Sequence, residues 1–147
     1  MPHVSVGSLI DVFAVLGALF AIWKGERAER TAATIVIVNI AIGESSKYLA
    51  PGSDEIIRLV NDGLTALVLL GVTVRYAALW MGGVMLFFAA QFSLHAFYLV
   101  VERPIDYYFA LVNNIDFIGI IWCLIFGTVV AWRRRLRLVQ ASGAPAT

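Results

Sequence analysis

The chain has 147 residues, of which 61% are hydrophobic and 14% are charged, and its mean hydropathy is +0.85. Soluble domains carry about 25% charged residues and at most about half apolar ones, so this composition indicates a membrane protein. The formal net charge of +1 gives no bulk attraction to nucleic acid. The single cysteine, Cys123, excludes an intrachain disulfide, a CxxC redox motif and an all-cysteine metal site.

Five apolar segments predict an all-α integral membrane bundle with five transmembrane helices. At about 1.5 Å per residue, each segment can cross, or nearly cross, an apolar layer about 30 Å thick. The predicted spans are 7–23, 31–50, 58–74, 77–101 and 107–132. They form a single transmembrane domain over residues 1–139, and the tail "QASGAPAT" (140–147) is predicted to be disordered.

The ends of the segments carry turn and capping signals. The first segment has no basic residue before its apolar core, and Lys24 follows that core, so we interpret it as a retained span. "KGERAER" (24–30) is predicted to be the first connector. Ser53 can cap the third helix, and Pro104 suits the start of the fifth.

The basic residues predict the orientation of the bundle. Eight of the eleven Lys and Arg residues fall at one end of the five spans. They are Lys24, Arg27, Arg30, Arg75, Arg133, Arg134, Arg135 and Arg137. Because cytoplasmic loops carry the excess of Lys and Arg, the C-terminus is predicted to be cytoplasmic and the N-terminus outside. The run "RRRLR" (133–137) is also expected to attract anionic lipid headgroups.

Segment 31–50 is the least certain span, because "GESSK" (43–47) makes its outer end polar. If it failed to cross, the N-terminus would be inside, and the first basic connector would change sides. The charge bias argues against that alternative.

Polar side chains collect within the outer half of the predicted spans. A charge that faces lipid at the bilayer centre costs at least about 2.5–3.5 kcal/mol, so these side chains are expected to turn inward as one cluster. The predicted cluster is Asp11, Glu44, Asp62, Gln91, His95, Asn113 and Asp116. Asn39, at mid-depth, and Asn114 are further polar residues within the spans.

His95 has several interpretations. The simplest is an interhelical hydrogen bond to Asp62, Glu44 or Asp116. The sharper ones are an axial haem ligand, a metal ligand or a proton-responsive group. A haem held between His95 and His3, or a haem or quinone shared with a partner subunit, remains an alternative to the absence of any cofactor.

The carboxylates of the cluster also allow two interpretations each. Glu44 is either a proton acceptor or the partner of Lys47 in an i,i+3 pair. Asp62 is expected to be solvated near the interface or bonded to Asn61. Asp116 lies deepest in its span, so it is expected to have a raised pKa or a buried partner.

The distribution of polar residues indicates two classes of function. The inner halves of the spans are almost wholly apolar, so a single chain offers no complete path for an ion or proton. The leading hypothesis is an accessory subunit that docks on a membrane protein or on its own copies, with lipid as its other partner. The alternative is one protomer of an oligomeric transporter or channel. We predict no enzymatic activity, because the sequence has no Gly-rich phosphate loop, HExxH motif or nucleophile elbow.

The order of several residues resembles a known group of proteins. "KGERAER" precedes a span, and it is followed by Asp62, the Arg75–Tyr76 turn, Trp80 and His95, then a Pro-Ile loop and a basic tail. In this order the chain resembles small, mostly uncharacterised multi-span membrane proteins of alphaproteobacteria, over residues 24–135. The resemblance implies a bacterial inner membrane and no particular activity.

Overall fold

The computed structural model describes residues 6–49 and 54–141. This part of the chain folds into five α-helices without a strand, as the sequence predicts. The helices are α1 (Val6–Lys24), α2 (Arg27–Leu49), α3 (Asp54–Tyr76), α4 (Leu79–Val100) and α5 (Tyr107–Ala141). Three stretches within the described residues are long and apolar enough to cross a membrane: Glu55–Tyr76, Leu79–Val100 and Tyr107–Ala141.

The helices form a closed ring. Each helix packs against the next one in the sequence, α5 packs against α1, and α2 also reaches α5 across the ring. The connections from α1 to α2 and from α3 to α4 contain only Gly25–Glu26 and Ala77–Ala78. Those two turns and the last part of α5 line one common cavity, so they lie at the same end of the ring. We call this the basic end and its opposite the polar end.

The centre of the ring is apolar and made largely of small side chains. The inner faces of α1 and α2 present alanines, which let helix backbones approach closely. Larger side chains from α3, α4 and α5 fill the remaining space. The apolar core is Ala14, Ala18, Ala21, Ala32, Ala33, Val36, Leu69, Val72, Met81, Val84, Phe88, Ile120, Ile121 and Leu124.

The outer surface of the ring is also apolar. Large hydrophobic side chains stand exposed on every helix, and examples include Leu16, Leu67, Leu86 and Trp122. A water-soluble bundle places such residues inside and polar residues outside. An apolar exterior around a ring of helices suits a lipid environment, because a helix bonds its backbone groups internally.

Helix α2 begins earlier than the sequence predicts. We expected a connector over 24–30, but only Gly25 and Glu26 are non-helical. The buried Glu29 carboxylate accepts a hydrogen bond from the Glu26 N–H at 3.0 Å, which caps the N-terminus of α2. A side chain on Gly25 would collide with the Ala21 carbonyl oxygen, so glycine is required in this tight turn.

Helix α5 is longer than predicted. It runs to Ala141 rather than ending near residue 132, and residues 140 and 141 of the predicted disordered tail are therefore helical. Arginines favour a helix C-terminus through the helix dipole, and no Gly or Pro occurs between Gly127 and Gly143. The rest of the tail, and the predicted Ser53 cap, lie outside the described residues.

Two glycines predict opposite effects of the same substitution. A Cβ atom on Gly127 would lie 2.5–2.6 Å from the Trp80 ring, whereas one on Gly82 would meet no atom within 4 Å. We expect Gly127→Ala to lower the free energy of unfolding by about 1–3 kcal/mol through overpacking. Gly82→Ala should raise the free energy of unfolding by about 0.5–1 kcal/mol, because alanine has fewer backbone conformations than glycine in the unfolded chain. Unfolding in mixed detergent measures both, and a loss of stability in both variants would contradict the packing described.

Candidate functional site

A contact between α3 and α4 is the centre of the polar residues. His95 Nδ1 lies 2.9 Å from Asp62 Oδ2, which is ion-pair distance, although the two atoms are not aligned for a hydrogen bond. Both side chains are at least nine-tenths buried. Asp62 was one of three partners for His95 that the sequence indicated.

The pair extends to α2 through amide groups. Asn39 Nδ2 donates to Asp62 Oδ1 and to Thr65 Oγ1, each at 3.1 Å. Asn61 Nδ2 donates to the Asn39 carbonyl oxygen at 3.0 Å, and Asn39, Asn61, Asp62 and Thr65 are all buried. A buried amide or carboxylate is costly unless it is bonded, and here each one finds a partner on the neighbouring helix.

The pair extends to α5 through the second nitrogen of the imidazole ring. His95 Nε2 lies 3.0 Å from Asn113 Oδ1. The ring also stacks on Phe109, with centroids 5.1 Å apart and planes 16° from parallel. Each ring nitrogen thus lies beside an oxygen atom from a different helix, Asp62 Oδ2 on α3 and Asn113 Oδ1 on α5. We call Asn39, Asn61, Asp62, Thr65, His95 and Asn113 the polar network.

Other residues of the predicted cluster surround a small cavity beside the network. Asp11, Glu44 and Gln91 line this cavity of about 90 Å³, together with members of the network. Asp116 is buried nearby and interacts electrostatically with His95. The buried atoms Gln91 Oε1 and Asp116 Oδ2 have no hydrogen-bond partner within the described chain. The predicted cluster is thus gathered around His95.

Sequence reasoning missed part of the site. Thr65 was not included in the predicted cluster, but it bonds with Asn39. A bond to Asn61 was one of two alternatives for Asp62, but Asn61 donates to the α2 backbone instead. Arg58 was also not included in the predicted cluster, but it lines the 90 Å³ cavity, with a buried Nε atom. The i,i+3 and i,i+4 spacing of Asn61, Asp62 and Thr65 was a signal for a shared face.

The geometry around His95 does not favour axial ligation of a haem iron. Both ring nitrogens lie within 3.0 Å of polar atoms, so neither is directed at open space. Among the described residues, no group of three His, Cys, Asp or Glu side chains is arranged to hold a metal ion. His3 and the Lys47 side chain lie outside the described residues, as do the pairs proposed for them.

Asp106, between α4 and α5, caps the fifth helix. Its carboxylate accepts hydrogen bonds from the Phe109 N–H at 2.9 Å and the Tyr98 hydroxyl at 2.7 Å, and pairs with Arg103 at 2.5 Å. The Phe109 N–H, followed by the Tyr98 hydroxyl, holds the pKa of Asp106 below its usual range, and Arg103 lowers it further. This cap was not predicted, because Pro104 was expected at the start of the fifth helix, whereas α5 begins at Tyr107.

The basic end has its own contacts. Arg134 pairs with Glu26 at 2.9 Å, and Arg135 donates to the Lys24 carbonyl oxygen. The Lys24 ammonium lies 3.8 Å from the Trp23 ring centroid and 5.3 Å from that of Trp132. These contacts join the α1–α2 turn to α5. The remaining predicted topology residues, Arg27, Arg30, Arg75, Arg133 and Arg137, have exposed side chains.

Comparison with known proteins adds no relative: no protein family, curated protein or solved structure matches the chain.

The polar network predicts a specific loss on truncation of His95. His95→Ala leaves Asp62 Oδ2 and Asn113 Oδ1 facing a void, so we expect the free energy of unfolding to fall by about 1–3 kcal/mol. Ser93→Ala is the control, because Ser93 is exposed and bonds only to its own helix at Ala89. Reversible unfolding in mixed detergent measures both variants. Equal stability of the two would show that the network does not hold the helices together.

The Asp106 cap predicts a pH-dependent contribution to stability. Because the pKa is lower in the folded chain than in the unfolded one, the stabilisation is full above the unfolded value. It is lost only as the pH falls through the folded value. Asp106→Ala should therefore lower the melting temperature at neutral pH and matter less in strong acid, while Asp106→Asn keeps an acceptor and loses less. Melting curves from about pH 2 to about pH 7, a range that extends below and above the usual aspartate pKa of about 3.9, test this. A pH-independent difference would contradict the assignment.

Proposed function

We propose that the chain is an accessory subunit of a bacterial inner-membrane complex. It would cross the membrane five times, with the N-terminus outside and the C-terminus in the cytoplasm. The observation that carries the accessory role is the apolar core, which fills the ring between the polar network and the basic end. A polar side chain within that core, Thr128, donates its hydroxyl to the backbone of its own helix.

A closed apolar core speaks against conduction by one chain. An ion or proton needs polar groups, or water, along the whole path, because a charge in an apolar interior is strongly disfavoured. In this ring the fully buried Phe88, Ile120 and Leu124 occupy that path. The side chains of the polar network contact one another and so join α2, α3, α4 and α5. Its role in the proposal is to fix the shape of the bundle.

The exterior supports docking within the membrane. The large exposed hydrophobic side chains leave a surface that lipid or another membrane protein can cover. Helix association in lipid depends on close packing rather than on the hydrophobic effect, so a rigid, shaped surface favours a specific partner. The network and the Asp106 cap supply that rigidity at the polar end.

The five spans and the orientation rest on charge and aromatic residues. Three stretches qualify as spans by length and composition, and α1 and α2 complete the ring with them. The rings of Trp23 and Trp132 both lie near the Lys24 ammonium at the basic end, where an interfacial aromatic belt is expected. The excess of arginines at that end supports a cytoplasmic location.

A second candidate, a protomer of an oligomeric cation or proton transporter, has one observation in its favour. The cavity beside His95 is lined by Asp11, Glu44 and Asp62, and Gln91 and Asp116 present unpartnered buried oxygens next to it. Arg58 also lines this cavity, and the acceptors around it suit an ordered water or a bound cation. In this candidate, contacts between chains would provide the path that the apolar core closes within one.

Native mass spectrometry of gently extracted protein, with a flux assay, separates the two candidates. The accessory role predicts a reproducible partner chain of different mass, and the same proton and cation leak in proteoliposomes for wild type and Asp116→Asn. Asn114→Ala, two residues away on the same helix and only partly buried, is the control for the substitution. A homo-oligomer whose flux falls at least about tenfold in Asp116→Asn, but not in Asn114→Ala, would overturn the accessory role.

A further inference from the structure

A large cavity lies at the basic end, away from the polar network. It has a volume of about 870 Å³ and opens between the α1–α2 turn, the α3–α4 turn and α5. One water molecule takes up about 30 Å³, so the cavity can hold a sizeable polar group. The cavity could not be predicted from the sequence, because its three walls are distant from one another in the chain.

The walls of the cavity are both cationic and apolar. Four arginines line it, namely Arg27, Arg30, Arg134 and Arg135, together with Trp80 and Phe126. Two glutamates also reach it, but Glu29 is used in the α2 cap and Glu26 pairs with Arg134. The lining therefore keeps an excess of positive charge, which complements an anion.

Two of the lining arginines are held by backbone carbonyl oxygens while most of their donors stay available. Arg30 Nε donates to the Gly25 carbonyl oxygen at 3.0 Å, and Arg135 donates to the Lys24 carbonyl oxygen. Each guanidinium has five N–H donors, and these contacts use one of them. Preorganised guanidinium groups bind phosphate oxygens well, often through two hydrogen bonds.

We propose that this cavity binds the phosphate headgroup of an anionic phospholipid. The arginines would contact the phosphate, and the acyl chains would lie against the apolar side chains at its mouth. Leu79 and Phe126 stand exposed there, at 98% and 65% of their full accessibility. These apolar side chains favour a lipid over a water-soluble phosphate compound. Basic pockets between helices near a membrane surface bind such headgroups.

Lipid retention in native mass spectrometry tests the site with a charge-matched pair of variants. The protein is equilibrated with equal phosphatidylglycerol and phosphatidylcholine, and the lipids that remain bound are counted. Arg27→Gln with Arg134→Gln removes two lining charges, while Arg133→Gln with Arg137→Gln removes two that do not line the cavity. We expect phosphatidylglycerol retention to fall at least about fivefold for each lining arginine, and less than about twofold in total for the control. Equal losses, or equal retention of both lipids by wild type, would overturn the proposal.

A second measurement, the quenching of tryptophan fluorescence by brominated lipid, tests the site without changing the arginines. Brominated phosphatidylglycerol should quench the tryptophan fluorescence of wild type more than brominated phosphatidylcholine does. Trp80→Phe should remove that difference in quenching between the two lipids. An unchanged difference in Trp80→Phe would place the lipid elsewhere and overturn the proposal. Displacement of phosphatidylglycerol by free glycerol phosphate at similar concentration would also overturn it, because the cavity would then prefer soluble phosphate compounds.

Discussion

The contact between His95 and Asp62 is the constraint on which the polar end of the bundle depends. In a ring with an apolar core and an apolar exterior, an ionisable pair cannot be left without partners. The pair joins α3 to α4, Asn39 brings in α2, and Asn113 brings in α5. Hydrogen bonds between membrane helices contribute about 0.6 kcal/mol each on average, so the network fixes the arrangement more than it adds stability.

The two ends of the ring are specialised in different ways. At the polar end, buried acceptors and His95 face one another across a small cavity, and their contacts are internal. At the basic end, arginines surround a larger cavity and face outward, toward the region of lipid headgroups in the proposed orientation. The apolar core separates the two ends. This division explains why the proposed roles are assembly and lipid contact rather than conduction.

Much of the fold could be predicted from the sequence, because apolar runs and short connectors indicate helices directly. The other six residues of the predicted cluster do lie around His95, as expected for polar side chains that avoid lipid. The individual bonds could not be predicted, because the rotation of each helix decides which side chains of α3 face Asn39 on α2. The start of α2 depends on the cap by Glu29. This cap was not predicted, because the charged segment 24–30 has the composition of a connector. The basic cavity could not be predicted either, because it forms only where three segments that are distant in the sequence come together in space.

A double-mutant cycle between Asp62 and His95 tests the central claim most directly. Asp62→Asn, His95→Gln and the double variant are unfolded reversibly in the same mixed detergent, and the coupling free energy is taken from the four stabilities. If the pair holds α3 to α4, the coupling should be about 1 kcal/mol or more, at the upper end of values for membrane helices. Strictly additive losses would mean that the two side chains do not interact, and the account of the polar end would be wrong.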